Sequence, residues 1–186
     1  MSHHNAFAVP VQALDIMVVD DSESMRRLYR TCLSAFDISS PRMFESSRDA
    51  LIEIESSPPD LVIVDWRMGP PNGLDFLRLL RSSVTGAGGL VAAIMVTGHA
   101  SESFVKQAMR AGVQQFLVKP VSPRILYERI NWVTNDSREL AQNGDRLIVE
   151  GVEERLKWHE RSVGEALRVD CDVPQEPQDD RDFFEL

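Results

Sequence analysis

The chain has 186 residues, of which 43% are hydrophobic and 26% are charged, and its net charge is −9. This size and composition favour one globular domain with an appendage, and the acidic balance argues against nonspecific binding to nucleic acid, which needs clustered lysines and arginines. The longest uninterrupted apolar run, residues 90–96, is far shorter than the roughly 20 residues of a membrane span, so no span is predicted.

The first 13 residues are predicted to form a mobile leader, in which His3 and His4 are expected to be solvated. They lack the basic region and the long apolar stretch of a secretory signal, so we expect a cytoplasmic protein. The two cysteines, Cys32 and Cys171, do not indicate a disulfide framework.

Five short apolar segments rich in β-forming residues predict buried strands. They are residues 16–19, 42–44, 61–65, 90–96 and 115–118, of which the second is the weakest. Helices are predicted at residues 23–36, from Ser46 or Ser47 to the residue before Pro58, and at residues 74–80, 102–110 and 123–133. Strands that alternate with helices are typical of βαβ units, so the predicted fold class is α/β with a parallel sheet.

Residues 14–134 form the predicted main domain, and residues 135–145, rich in Asn, Asp and Gly, form a predicted linker. Beyond it, apolar residues recur at alternating spacings of three and four, which predicts a C-terminal helical extension over residues 146–169. Its apolar seam favours packing within the molecule, with a partner zipper as the alternative. Residues 170–186 carry seven acids and one arginine and predict an acidic, disordered tail.

Polar groups follow four of the predicted strands at the point where each strand ends. Asp20 and Asp21 follow the first strand, Asp65 ends the third, Thr97 follows the fourth, and Lys119 follows the fifth. In an open parallel sheet, ligands bind in the crevice at the carboxyl ends of the strands, so we expect these side chains to converge there. Such a site suits metal-assisted phosphoryl transfer, because the ammonium group and the hydroxyl can each contact a phosphoryl oxygen.

Asp65 is the predicted nucleophile, since a carboxylate can attack phosphorus to give an acyl phosphate. The three carboxylates would repel one another without a cation, and their oxygen atoms favour Mg²⁺. Asp21 and Asp65 are predicted to bind this ion directly and Asp20 through water. A backbone carbonyl after Asp65, at Arg67, is predicted to complete the set.

Over residues 14–133 the sequence resembles the receiver domain of bacterial two-component response regulators, of which the single-domain chemotaxis regulator is the best-known type. The positions that carry the resemblance are Asp20-Asp21, Asp65, Gly73, Thr97 and Lys119-Pro120. It implies a flavodoxin-like, doubly wound sheet of five parallel strands in the order 2-1-3-4-5, with five helices. It also implies a cis peptide between Lys119 and Pro120.

The resemblance further implies that Asp65 receives its phosphoryl group from a sensor histidine kinase or a phosphotransfer protein. Thr97 and Phe116 would then move together as a switch. No DNA-binding or catalytic output domain is recognisable after Val133, so we expect a switch rather than an enzyme. Its output is expected to pass by contact with a downstream protein, or by self-dimerisation through the C-terminal extension.

Three residues around the motif are predicted to modulate the reaction. The long cationic side chain of Arg67 can reach over the acyl phosphate and impede the hydrolytic water. Gly98 leaves the phosphoryl group accessible, and Pro120 restricts the backbone conformation directly after Lys119.

Two rival functions are open at this point. An aspartate-nucleophile phosphatase of the haloacid-dehalogenase type would carry a second acid two residues after Asp65, and the presence of Arg67 there argues strongly against this function. A receiver-like module that is not phosphorylated and acts through its C-terminal extension is the other alternative.

Overall fold

A parallel sheet forms the centre of the fold in this computed structural model, which describes residues 2–38, 40–82, 88–98, 101–152 and 154. Its strands are β1 (Ile16–Val19), β2 (Arg42–Phe44), β3 (Leu61–Asp65), β4 (Ala92–Thr97) and β5 (Gln115–Val118), in the order β2-β1-β3-β4-β5. Every residue of β1, β3 and β4 is buried, which explains why these segments are continuously apolar rather than alternating. The predicted strand order is confirmed.

Five helices cover the two faces of the sheet. They are α1 (Glu23–Ser34), α2 (Ser47–Ser56), α3 (Gly73–Leu80), α4 (Glu102–Arg110) and α5 (Pro123–Thr134). The core between the sheet and α1 and α5 is one cluster of buried residues, and the core beneath α2, α3 and α4 is another. Each helix begins after a Ser or Asn whose side chain accepts a backbone N–H of the first turn. This is the doubly wound, flavodoxin-like fold that the sequence predicts.

The chain divides into two units, Met1–Val152 and Glu153–Leu186, and only residue 154 of the second is described. The predicted acidic tail and most of the predicted helical extension therefore lie outside the described residues. Among the helices that are described, none is long and apolar enough to cross a membrane.

The predicted mobile leader is wrong, because residues 2–13 are packed on the domain. The backbone of Ser2 exchanges hydrogen bonds with that of Leu140, and the N–H of Ala8 donates to the carbonyl of Thr134 at 2.8 Å. Ala6 is completely buried, and a short 3-10 helix at Val11–Ala13 leads into β1. The partners outside this segment, which also include the carbonyls of Pro59 and Leu90, are more than 50 residues away in the chain, so local composition does not reveal them.

The prediction also fails at residues 140–149, where a linker and the start of a helix were expected. Two antiparallel strands, β6 (Leu140–Asn143) and β7 (Arg146–Val149), form a hairpin. Gly144 opens its two-residue turn with φ +65°, the left-handed conformation that a type II′ hairpin turn requires. The hairpin lies between two single-residue bridges, from Ser2 to Leu140 and from Ser82 to Arg146.

A buried polar cluster lies where β4 and β5 begin, and we call it the basal cluster. It consists of His4, Arg81, Gln114, Asp136 and Arg138. The guanidinium group of Arg81 is fully buried and donates to Gln114 Oε1 and to the backbone carbonyls of residues 89, 91 and 112. Arg138 binds both oxygens of Asp136 and the carbonyl of Gln114, while the ring of His4 contacts the carbonyl of Asp136 at 3.1 Å.

The basal cluster joins the ends of the domain to its centre. The carbonyl of Arg81 also accepts the N–H of Leu147 in β7, at 2.8 Å. One residue therefore connects α3, the starts of β4 and of the edge strand β5, and the hairpin.

Candidate functional site

The predicted site residues converge at the carboxyl edge of the sheet, and we call this place the acidic pocket. It consists of Asp20, Asp21, Asp65, Thr97 and Lys119. Asp20, Asp65 and Thr97 are 1%, 5% and 3% exposed, whereas Asp21 is exposed to solvent. Parallel pairing of the strands brings these residues together, although they are far apart in the chain.

The ammonium group of Lys119 lies between two carboxylates. Its Nζ is 2.6 Å from Oδ1 of Asp65 and 3.4 Å from Oδ2 of Asp20. The Lys119 N–H donates to the carbonyl of Thr97 at 2.8 Å, and the following bond to Pro120 is cis, which confirms the prediction. The backbone thus holds the lysine at the edge of the sheet with its side chain turned into the pocket.

Burial and the neighbouring charges have opposing effects on the pKa values of Asp20 and Lys119 in this pocket. Burial raises the pKa of Asp20, and Asp65 adds to the rise, although the Ser22 N–H and Lys119 counteract it. Burial disfavours the charge of Lys119, but its hydrogen bonds and charge interactions with Asp65 and Asp20 outweigh that effect and raise the pKa of Lys119. One cation therefore serves two buried acids, and Asp20 is left incompletely neutralised.

Backbone N–H groups orient both acids. Oδ1 of Asp20 accepts the N–H of Ser22 at 2.9 Å, and Oδ2 of Asp65 accepts the N–H of Arg67 at 2.9 Å. A side chain on Gly73 would collide with the carbonyl oxygen of Asp65, so only glycine allows α3 to begin this close to the strand end. This explains why Gly73 belongs to the motif.

The structure adds Arg26, which the sequence reasoning missed. From the first half of α1 it donates to the backbone carbonyl of Asp20 at 2.7 Å and forms an ion pair with Glu45 at 3.3 Å. A basic residue on an amphipathic helix is expected to face solvent. The only signal in the sequence that Arg26 lies near Asp20 is its position one turn after the N-cap Ser22.

The remaining predicted residues lie on the strands and loops that frame the pocket. Thr97 ends β4, and Phe116 is half-buried in the neighbouring β5, where it packs on the core beneath α2, α3 and α4. Arg67, Gly98 and Pro120 are all exposed. A Cβ atom at Gly98 would meet nothing within 4 Å among the described residues.

An aromatic contact joins the loop after Asp65 to a helix. The ring of Trp66, directly after Asp65, lies 5.0 Å from that of Phe104 in α4. The N–H of Trp66 also donates to the carbonyl of Val96 at 2.7 Å, which ties the loop to β4.

In the part of the chain that is described, no group of three or more His, Cys, Asp or Glu side chains is arranged to hold a metal ion. The donor chemistry of the pocket nevertheless fits a small divalent cation. Asp20 and Asp65 are oxygen donors that share one ammonium group, and Asp21 directly follows Asp20 and is exposed.

The fold and the pocket together define a class: a doubly wound α/β domain with buried acids and one lysine at the carboxyl ends of its strands. The chain belongs to the response regulator receiver domain family, whose model matches residues 16–131.

Individual relatives agree with this assignment. The chain is 32% identical over 126 residues to the chemotaxis protein CheY1 of Helicobacter pylori, an alignment that covers 66% of this chain and 100% of that protein. It is 29% identical over 117 residues to CheY of Pseudomonas aeruginosa, covering 63% and 93%. The solved structure of CheY4 of Vibrio cholerae has the same fold, with a TM-score of 0.59 at 23% identity, covering 64% of this chain and 97% of that one.

Proposed function

We propose that this protein is a response regulator of a two-component phosphorelay and that Asp65 accepts the phosphoryl group. The observation that carries the proposal is the 2.6 Å contact between Lys119 Nζ and Asp65 Oδ1 at the carboxyl edge of the sheet, with Asp20 on the other side of the same ammonium group. Membership of the receiver family supports the same role.

The phosphoryl donor is the phosphohistidine of a sensor histidine kinase or of a phosphotransfer protein. A carboxylate oxygen of Asp65 attacks phosphorus, the P–N bond breaks, and the imidazole nitrogen keeps the bonding electron pair. Lys119 turns from the carboxylates to one phosphoryl oxygen, and the hydroxyl of Thr97 donates to another. The product is an acyl phosphate on Asp65. A histidine-kinase donor places the receiver in the cytoplasm.

Mg²⁺ is the cofactor that the pocket fits. Asp21 and Asp65 would bind it directly, Asp20 through water, and the backbone carbonyl of Arg67 would complete the protein ligands. When bound, the ion neutralises charge that develops on the transferring phosphoryl group. It also relieves the repulsion between Asp20 and Asp65, which Lys119 alone offsets only in part.

The output is a change of the protein-binding surface rather than catalysis on another substrate. Thr97 and Phe116 are the proposed switch, because they lie on adjacent strands that end beside Lys119. The target is a downstream protein, or a second copy bound through the chain after Val152. Most of that segment lies outside the described residues.

The test is labelling of the full chain with a small phosphodonor such as acetyl phosphate in the presence of Mg²⁺. Asp65→Asn should abolish labelling, whereas Asp49→Asn, at an exposed position on α2, should leave it unchanged. Chelation of the metal should also abolish labelling of the unaltered chain.

Normal labelling of Asp65→Asn would show that the acceptor lies elsewhere, and normal labelling in chelator would remove the metal from the proposal. If the unaltered chain takes up no phosphate from any donor, the proposal of a phosphorylated regulator is wrong. The alternative function, a receiver fold that acts as an unphosphorylated binding module, would then be favoured.

A further inference from the structure

Arg26 in α1 is a cation beside a pocket that suits a divalent cation. Its side chain is 16% exposed, and its Nη1 donates to the backbone carbonyl of Asp20 at 2.7 Å. By charge alone, a guanidinium group at this place would weaken the binding of Mg²⁺. A favourable role of Arg26 must therefore come from the geometry that its hydrogen bond imposes.

That hydrogen bond completes the contacts that hold Asp20. The backbone N–H of Asp20 donates to the carbonyl of Phe44, the last residue of β2, at 3.1 Å, and its backbone carbonyl accepts Arg26. Its Oδ1 accepts the N–H of Ser22 at 2.9 Å, and its Oδ2 lies 3.4 Å from Nζ of Lys119. Both backbone groups and both carboxylate oxygens of this residue thus have partners.

Two of these contacts fix the backbone on either side of Asp21. The carbonyl of Asp20 belongs to the planar peptide unit that precedes Asp21, and the N–H of Ser22 belongs to the unit that follows it. Arg26 holds the first unit, and the carboxylate of Asp20 holds the second. Because Asp21 itself is exposed, these two peptide units set the position of its Cα atom and hence the reach of its carboxylate.

Glu45 restrains the side chain of Arg26 in turn. It directly follows β2, and its Oε2 accepts Nη2 of Arg26 at 3.3 Å. One guanidinium group therefore binds an acceptor after β1 and another after β2, through two nitrogens of a planar fork. An ammonium group has no such fork, so a lysine would keep the charge without reproducing both contacts.

We infer that Arg26 is a positioning residue of the Mg²⁺ site, whose hydrogen bond fixes the peptide unit between Asp20 and Asp21 and so preorganises the carboxylate of Asp21. The inference rests on the proposed Mg²⁺ site and adds to it a residue that acts through the backbone of its ligands. Such positioning matters for Mg²⁺, which demands near-ideal octahedral geometry, more than for Ca²⁺, whose coordination is flexible.

The experiment measures the binding of Mg²⁺ to the full chain and to Arg26→Met by isothermal titration calorimetry. Loss of a positive charge would lower the dissociation constant if electrostatics alone decided it. We expect the dissociation constant to rise about fivefold instead, the equivalent of one net hydrogen bond. Arg27→Met is the matched control, because it removes the same charge from the next residue, whose side chain is 73% exposed and pairs with Glu23. The control should bind Mg²⁺ as tightly as the full chain or more tightly.

A second measurement separates positioning from a general loss of structure. In Arg26→Met the dissociation constant for Ca²⁺ should change less than about twofold, because flexible coordination tolerates a displaced ligand. Arg26→Lys, which retains the charge and serves if Arg26→Met does not fold, should also bind Mg²⁺ more weakly than the full chain does.

An unchanged or lower dissociation constant for Mg²⁺ in the Arg26 variants would overturn the inference, and so would an equal weakening of Mg²⁺ and Ca²⁺ binding. In both cases the proposed Mg²⁺ site would stand, because the full chain still binds the ion. A full chain that binds no Mg²⁺ would overturn that site and the inference together.

Discussion

The acidic pocket and the basal cluster lie at opposite edges of the same sheet, and their buried charges are neutralised to different degrees. In the basal cluster, Arg81 is surrounded by four oxygen acceptors, three of them backbone carbonyls. In the acidic pocket, Asp20 and Asp65 share the ammonium group of Lys119, at 3.4 and 2.6 Å. The first arrangement gives the buried cation its own acceptors, although Nδ1 of His4 and Nε2 of Gln114 are buried without a hydrogen-bond partner among the described residues, whereas the second has two acids for one cation.

This difference separates a structural use of buried charge from a functional one. Burial disfavours the charge of Arg81 and lowers its pKa to about 9, but removal of the side chain would leave four buried acceptors without this donor. Burial raises the pKa of Asp20, so its ionised form opposes folding, and a bound divalent cation would relieve that cost. Substitutions at the two edges should therefore change stability in opposite directions.

The largest effect is expected for Arg81→Met. The substitution leaves buried carbonyl oxygens and Gln114 without a donor, so the free energy of unfolding should fall by about 3 kcal/mol or more, measured in urea. Arg78→Met is the control, because Arg78 is exposed on the same helix and forms only a surface ion pair with Asp75. A loss no larger than that of the control would mean that Arg81 does not hold the two ends of the domain together.

Asp20→Asn should have the opposite sign. The folded state raises the pKa of Asp20, mainly through burial, so ionisation of this group opposes folding and the penalty is present once the pH exceeds its folded pKa. At neutral pH the neutral amide should stabilise the metal-free protein by about 1 kcal/mol. The same variant should bind Mg²⁺ more weakly. A destabilised variant in metal-free buffer would show that the pocket is neutralised as fully as the basal cluster.

A smaller, pH-dependent effect is expected at His4 in the basal cluster. Burial lowers the pKa of His4, and the charges of Arg81 and Arg138 act in the same direction against the contacts with Asp136. The neutral ring is therefore the folded form, so its contribution is present above the unfolded pKa of about 6.5 and is lost as the pH falls below it.

The free energy of unfolding should accordingly decrease between about pH 7.5 and pH 5.5, and His4→Gln should reduce that decrease. The control is His3→Gln at the neighbouring position, which is 41% exposed. An equal decrease in the His4 variant would assign the pH dependence to other groups.

The smallest effect is expected at the exposed rim of the acidic pocket. The side chain of Arg67 is exposed beside the acceptor, where a single charge contributes about 0.2–1 kcal/mol. Arg67→Ala should therefore lose its phosphoryl group up to about fivefold faster than the unaltered chain, measured by the decay of label. Equal or slower decay would show that Arg67 does not protect the acyl phosphate.

The sequence was informative where one short pattern decides the structure. Continuous apolar runs predicted the central strands, and the polar residue at the end of each run predicted the edge at which Asp20, Asp65 and Lys119 meet. It misled at Val149, because the spacing of three from Val149 to Val152 fits a helix while Leu147 and Val149 equally fit a strand, and the structure has a strand there. The hairpin turn at Gly144 was the signal that distinguishes the two.

Tertiary burial accounts for the other failures. Arg81 follows the last turn of α3, where a basic residue is normally solvated, and nothing local shows that backbone carbonyls surround it. Arg26 fits the pattern of an ordinary amphipathic helix, so its hydrogen bond to the carbonyl of Asp20 appears only once α1 is placed against the sheet.

The pairing of the two ends of the domain has a consequence for its biosynthesis. Ser2 pairs with Leu140, and the N–H of Ala8 binds the carbonyl of Thr134. Because a ribosome releases the amino end first, residues 2–8 emerge long before the residues that cover them. Residues 2–8 are thus made before the rest of the domain but are among the last to reach their final place, and a nascent chain that stops before Leu140 cannot complete the domain.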